Sequence, residues 1–108
     1  MRKKDDLAKH LPLTESTYYI MLALARPLHG YAVMQRVEEL SRGTVRVGPG
    51  TLYGAFVALE RAKLILKVGE EGRRKVYALT ALGNRVLTAH ADRLRMMARA
   101  GSEARSRR

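Results

Sequence analysis

The sequence predicts a mainly α fold carrying one small β-hairpin, and three observations predict it. Apolar residues recur at helical spacing in three short segments and one long one. Between the third and the fourth stand two short apolar-rich runs separated by a glycine-bearing turn. The length, 108 residues, holds one domain, because domains usually run to roughly 100–150 residues.

Met1–Leu11 is polar and mixed in charge, so residues 1–12 read as an N-terminal extension, frayed or shortly helical. Thr14 is a good N-cap, and Glu15 stands where the helix dipole favours a carboxylate. The first helix runs from about Glu15 to Ala25 and stops before Pro27. It is apolar nearly all round (Tyr18, Tyr19, Ile20, Met21, Leu22, Leu24) and must be covered on more than one side. A second helix, about Gly30 to Ser41, has one buried stripe of Val33, Met34, Val37 and Leu40. Gly48-Pro49-Gly50 opens a third, from about Thr51 to Ala62, with Leu52, Ala55, Phe56 and Leu59 buried. Its other face, Thr51, Tyr53, Gly54, Val57 and Ala58, carries no charge, where an ordinary wet helix face carries Glu and Lys.

Leu64–Val68 reads as a strand, Gly69–Arg74 as a turn, and Lys75–Leu79 as the returning strand, a hairpin tipped by Arg73, Arg74 and Lys75. Thr80 caps a final helix to about Arg99. Its Leu87, Ala91, Leu94 and Ala98 recur at alternating steps of four and three residues, the spacing of a helix–helix seam. Residues 101–108 read as a disordered basic tail. The order helix, helix, helix, hairpin, long helix is that of a winged helix-turn-helix over residues 13–79, with residues 80–100 as a dimerisation helix. The seam and the all-round apolar first helix place Tyr18, Leu22, Leu87, Ala91, Leu94 and Ala98 at a dimer interface. Tyr19 and Met97 would line an effector pocket beside it, although core packing is the simpler role for tyrosines in an apolar run.

The formal net charge is +11, with Lys and Arg numbering 21 against 10 Asp and Glu. It is uneven, +2 over residues 1–60 and +9 over residues 61–108. A surface that repels itself calls for a polyanionic partner, nucleic acid first and an anionic membrane second. With 46% hydrophobic and 29% charged residues the chain is globular and not disordered. It has no cysteine, which excludes a disulfide scaffold and a thiol nucleophile. The longest apolar run, Tyr18–Ala25, is far short of the about 20 residues that span a bilayer, and no signal peptide is legible. A soluble, cytoplasmic protein is expected.

No chemistry-bearing constellation emerges. Gly48-Pro49-Gly50 is not followed by Gly-Lys-Ser/Thr, so it is not a phosphate-binding loop. His10, His29 and His90 lack metal-ligand spacing, and His29 reads as a cap or turn residue. The carboxylate pairs are adjacent in sequence and diverge. No enzyme, cofactor or metal site is expected. Two rivals to an operator-binding protein remain at this point: a nucleic-acid binder without sequence choice, and an adaptor that packs the uncharged face on a protein.

Four blocks carry a family resemblance: LTESTYYIMLAL at Leu13–Leu24, LHGYAVMQRVEEL at Leu28–Leu40, VGPGTLYGAFVALE at Val47–Glu60 and GRRKVYALTALG at Gly72–Gly83. In this order they resemble the PadR-family transcriptional regulators. The resemblance implies a dimeric winged-helix repressor on double-stranded DNA, with a C-terminal dimerisation helix and response to small, often aromatic, ligands. It implies a recognition helix beginning at Pro49, Gly50 and Thr51, with Tyr53 and Gly54 exposed. Tyr31 would touch backbone phosphate, and Arg73, Arg74 and Lys75 would form the wing. Two departures stand out: Val57 and Ala58 replace a common basic pair, and Lys63 stands where a glycine usually closes the helix.

Overall fold

The computed structural model describes residues 7–106. Its elements run α1 (Glu15–Ala23), β1 (Leu28–His29), α2 (Gly30–Leu40), α3 (Pro49–Arg61), β2 (Ile65–Glu71), β3 (Arg74–Leu79) and α4 (Ala81–Ser106). This is the expected winged helix-turn-helix with its long final helix. Each helix start has a local cause. The Thr14 side chain accepts the N–H of Thr17 at 3.1 Å, and His29 Nδ1 accepts that of Ala32 at 3.3 Å. Gly48 precedes Pro49 at the first position of α3, where a missing N–H costs nothing. Thr80 Oγ1 accepts the N–H of Gly83 at 2.9 Å and donates to the Lys63 carbonyl at 2.7 Å, tying the start of α4 to the end of α3.

The core gathers around α1. Ile20, Met21 and Leu24 are buried with Val33 and Val37 of α2, Leu52, Phe56 and Leu59 of α3, Ile65 of β2 and Val86 of α4. Each fully buried aliphatic side chain contributes about 1.5–3 kcal/mol. Both expected buried stripes, of α2 and α3, are thus turned inward, with Met34, Leu40 and Ala55 half-buried at their edges.

Three details differ from expectation. The sheet has three strands in the order β1-β3-β2, not two. Leu28 and His29 pair with Tyr77 and Val76 of β3. Two residues have no periodicity of their own, so only the tertiary pairing makes them a strand. Second, the hairpin is longer and its turn tighter. A register shift between Lys67 and Gly69 lets Glu70 face Lys75 and Glu71 face Arg74, and these opposite charges favour continued pairing. The turn shrinks to Gly72 and Arg73, with Gly72 at φ +62, where glycine carries no Cβ penalty.

Third, α4 does not end near Arg99, and the predicted disordered tail is helical to Ser106. Gly101 costs about 1 kcal/mol in a helix interior, but Ala100, Glu103, Ala104 and Arg105 are strong helix formers and carry the helix past it. The rest of that tail, 107–108, and residues 1–6 of the N-terminal extension lie outside the described residues; Leu7 and Ala8 are helical.

The first half of α4 belongs to the core, through buried Gly83, Val86 and His90. Gly83 is required there: a Cβ would sit 2.1 Å from the Leu64 carbonyl oxygen. From Asp92 onward every described residue of α4 is exposed, which draws the molecule out to 56 × 37 × 20 Å.

Candidate nucleic-acid interface

The uncharged face of α3 lies open. Pro49, Gly50, Thr51, Tyr53, Gly54 and Ala58 are exposed, and Tyr53 keeps 73% of its surface in solvent. Its N-terminal half ends in free backbone N–H groups and the positive end of the helix dipole, both suited to phosphate. Behind it, the turn from α2 is held by Ser41. This buried hydroxyl accepts the Val45 N–H at 3.0 Å and donates to the Val45 carbonyl at 3.1 Å. Nothing in the sequence singled out Ser41, because a serine after a helix is ordinary.

The wing stands beside α3. Arg73, Arg74 and Lys75 are exposed, and among the described residues none lies within ion-pair distance of a carboxylate. Arg74 lies over the Tyr31 ring, 5.7 Å from its centroid, which brings the wing to the start of α2. The His29 ring, already a helix cap, places Nε2 3.4 Å from Arg74 Nη1 and 3.7 Å from Glu71 Oε1. Lower on the hairpin, Lys67 donates to Glu70 at 2.7 Å. That bond holds the Glu70 carboxyl below its ordinary range and the Lys67 ammonium above its own. Eight of the nine residues expected at a DNA surface thus fall on two neighbouring ridges, and the ninth, Tyr31 of α2, joins them through Arg74.

The chain's other expected sites lie away from this face. Tyr19 and Met97 share a cleft of about 430 Å³ with Tyr18, His90 and Leu94, between α1 and α4. Tyr18 and Leu22 of α1 and Leu87 and Ala91 of α4 are half-buried; Leu94 and Ala98 are exposed. His90 packs 5.0 Å from the Tyr18 ring, and its Nδ1 accepts the Leu13 N–H at 3.2 Å. Burial, then the nearby Arg93, pushes its pKa below the ordinary 6.5. Sequence reasoning left His90 without a role, since its partner lies 77 residues away.

Comparison with known proteins decides the family, because the profile of the "Transcriptional regulator PadR-like family" matches residues 20–89. The chain belongs to the PadR-like family of transcriptional regulators. It is 41% identical over 73 residues to an uncharacterised 37.1 kDa protein of transposon TN4556 from Streptomyces fradiae, 67% of this chain and 21% of that one. It is 32% identical over 69 residues to the transcriptional regulator YqjI of Escherichia coli K12, 64% of this chain and 33% of that one. The chain therefore spans a fifth to a third of the length of these curated relatives. Among solved structures, a PadR family transcription regulator from Clostridium difficile superposes with a TM-score of 0.73 at 23% identity, covering 83% of this chain and 97% of that one. The wing and α3 described above are thus those of a PadR-like winged helix. Among the described residues, no helix is long and apolar enough to cross a membrane.

Proposed function

We propose that this PadR-like regulator is a cytoplasmic homodimer that binds an inverted-repeat operator in double-stranded DNA and represses transcription by occupying it. One observation carries the reading: an exposed, charge-free helix face beside a wing of three cations that, among the described residues, have no carboxylate within ion-pair distance. Small groups on α3 allow the backbone close to base edges in a major groove about 12 Å wide, while cations alongside neutralise phosphate. Reading and holding are divided between the two ridges. Binding, not catalysis, is the activity.

The dimer reading rests on Leu94 and Met97, 37% and 61% exposed, which continue the line of half-buried Leu87 and Ala91 on α4 next to Tyr18 and Leu22 of α1. A second copy covers them. The cleft at Tyr19 and Met97 then lies at the edge of that contact, and a small planar aromatic effector lodged there would favour one spacing of the two recognition helices over another.

The test measures binding to the duplex upstream of the protein's own gene and to random duplex, each at two salt concentrations. The regulator prefers the first, and both affinities fall steeply with salt. An adaptor shows no salt-dependent binding, and a binder without sequence choice shows no preference. Arg74→Ala and Lys75→Ala weaken both duplexes alike and lower the salt slope by about one per lost phosphate contact. Thr51→Ala and Tyr53→Ala reduce the preference by about 1–3 kcal/mol per lost base-pair contact and leave the slope nearly unchanged.

A further inference from the structure

A hollow of about 460 Å³ lies at the far end of α3, away from Pro49 and Gly50. Lys9 and His10 of the N-terminal extension, Arg61 and Lys63 at the end of α3, and Arg85 of α4 line it. Three separate stretches of chain thus bring four Lys and Arg to one concavity. No carboxylate lines it, and among the described residues none lies within ion-pair distance of the four cations. Glu60, next to Arg61 in sequence, borders instead the cleft between α3 and the wing, which is floored by Phe56 and Tyr77. Helix dipoles account for only part of this cluster. The negative end of α3 favours Arg61 and Lys63, but Arg85 stands one turn into α4, near the end that repels cations. The first turn of α4 carries no acid to compensate. Lys63 is held at φ +66, so a cation stands there against the backbone's preference. His10 adds a polar group that the chain leaves unanswered: its Nε2 is buried and, among the described residues, has no hydrogen-bond partner.

We infer that this hollow binds a short polyphosphate chain, free or carried by a nucleoside, apart from the proposed DNA-reading face. A concavity lined by one sign of charge focuses its field on whatever enters. One phosphate carries only about −1.5 to −2 at neutral pH, so four cations match a chain of two or three. The cations divide the work by their shapes. Arg61 and Arg85 can each hold two oxygens in a fork, while Lys9 and Lys63 act as point charges along the chain. An isolated exposed pair contributes little, but four cations on one compact anion act together. The helix keeps the two anion sites apart: Arg61 lies about 18 Å from Pro49 along the α3 axis, at 1.5 Å per residue. The hollow and the cleft beside the wing share no lining residue. The contacts proposed for the duplex therefore leave the hollow open. The wing takes only three of the thirteen Lys and Arg after residue 60, and this site gives three more of them a ligand. The inference stands whether or not the chain binds an operator.

Calorimetric titration of the full chain with inorganic tripolyphosphate, at fixed ionic strength and free of divalent metal, tests this. One ion binds per chain, about 10-fold or more tighter than orthophosphate, because the longer anion meets more of the cations. Adenosine triphosphate binds as well, and the tighter of the two names the source; adenosine alone does not bind. Arg61→Gln with Arg85→Gln, both at exposed positions, weakens tripolyphosphate about 10-fold or more. Lys63→Gly weakens it about 3-fold while raising the denaturation midpoint, so affinity and stability move in opposite directions. The wing variant Arg73→Ala with Arg74→Ala takes up tripolyphosphate as the wild type does. Tripolyphosphate held no tighter than orthophosphate overturns the inference. So does binding that is lost with the wing pair and kept without Arg61 and Arg85, or uptake of several ions per chain without saturation. A chain that takes up no tripolyphosphate, yet loses duplex affinity with Arg61→Gln and Arg85→Gln, gives the hollow to the DNA backbone and overturns it too.

Discussion

The two halves of α4 are one continuous helix with opposite surroundings. From Ala81 to Ala91 its identity is fixed by the chain itself: Gly83 against the Leu64 carbonyl, Val86 fully buried, His90 against Tyr18 and Leu13. From Asp92 to Ser106 it touches little, yet it still carries Leu94, Met96 and Met97. Two exposed methionines and a leucine within four residues make a patch that isolated surface residues do not. The same helix thus anchors inside one chain and, in the proposed dimer, reaches for a second, so a substitution means different things in each half.

The largest expected effect lies in the anchored half. Gly83→Ala brings a methyl group onto backbone that cannot rotate away, and destabilises the fold by about 3 kcal/mol, read as a fall in denaturation midpoint. Next, Leu94→Glu with Met97→Glu in the projecting half separates the two roles. Sedimentation shows dissociation to monomer, while the stability of each chain changes by only about 0.5 kcal/mol. Equal unfolding in both experiments would erase the distinction between the halves.

A smaller effect sharpens where the boundary falls. His90 is held neutral in the fold, with its pKa below the 6.5 of an unfolded chain. The stability it supports is complete above about pH 6.5 and is lost as pH falls toward the lower folded pKa, because protonated Nδ1 no longer accepts the Leu13 N–H. Thermal melts from pH 7.5 to 5 show this slope, and His90→Gln flattens it. The smallest effect has the opposite sign. Lys63 sits at φ +66, and its neighbour Leu64 donates to the Leu59 carbonyl at 2.9 Å, a helix end that glycine fits better. Lys63→Gly therefore stabilises by about 0.5–1 kcal/mol in urea titration.

Helix starts were legible because each depends on a residue and its next three neighbours: Thr14, His29, Gly48-Pro49 and Thr80 all act locally. Buried stripes were legible because packing repeats with the helix. The uncharged face of α3 and the wing cations were readable as composition, without their separation or the cleft between them. What escaped depends on distant partners. β1 exists only because β3 runs beside it, and the cleft floor joins Phe56 to Tyr77 across 21 positions of chain. The continuation of α4 past Gly101 was obscured for another reason, since one glycine and a basic composition look like a tail although the surrounding helix formers outweigh them.

Being a core element and a projecting arm at once makes α4 a lever. Its 26 residues measure about 39 Å at 1.5 Å each, with the near end locked to α3 through Thr80 and the Lys63 carbonyl. A tilt of about 5° at the far end of such a rod moves the other by about 3.4 Å, the rise of one base pair. In the proposed dimer, small adjustments where the two arms meet would thus become whole steps of DNA register, carried through an end that Gly83, Val86 and His90 hold in the core and the Thr80 hydroxyl ties to the Lys63 carbonyl.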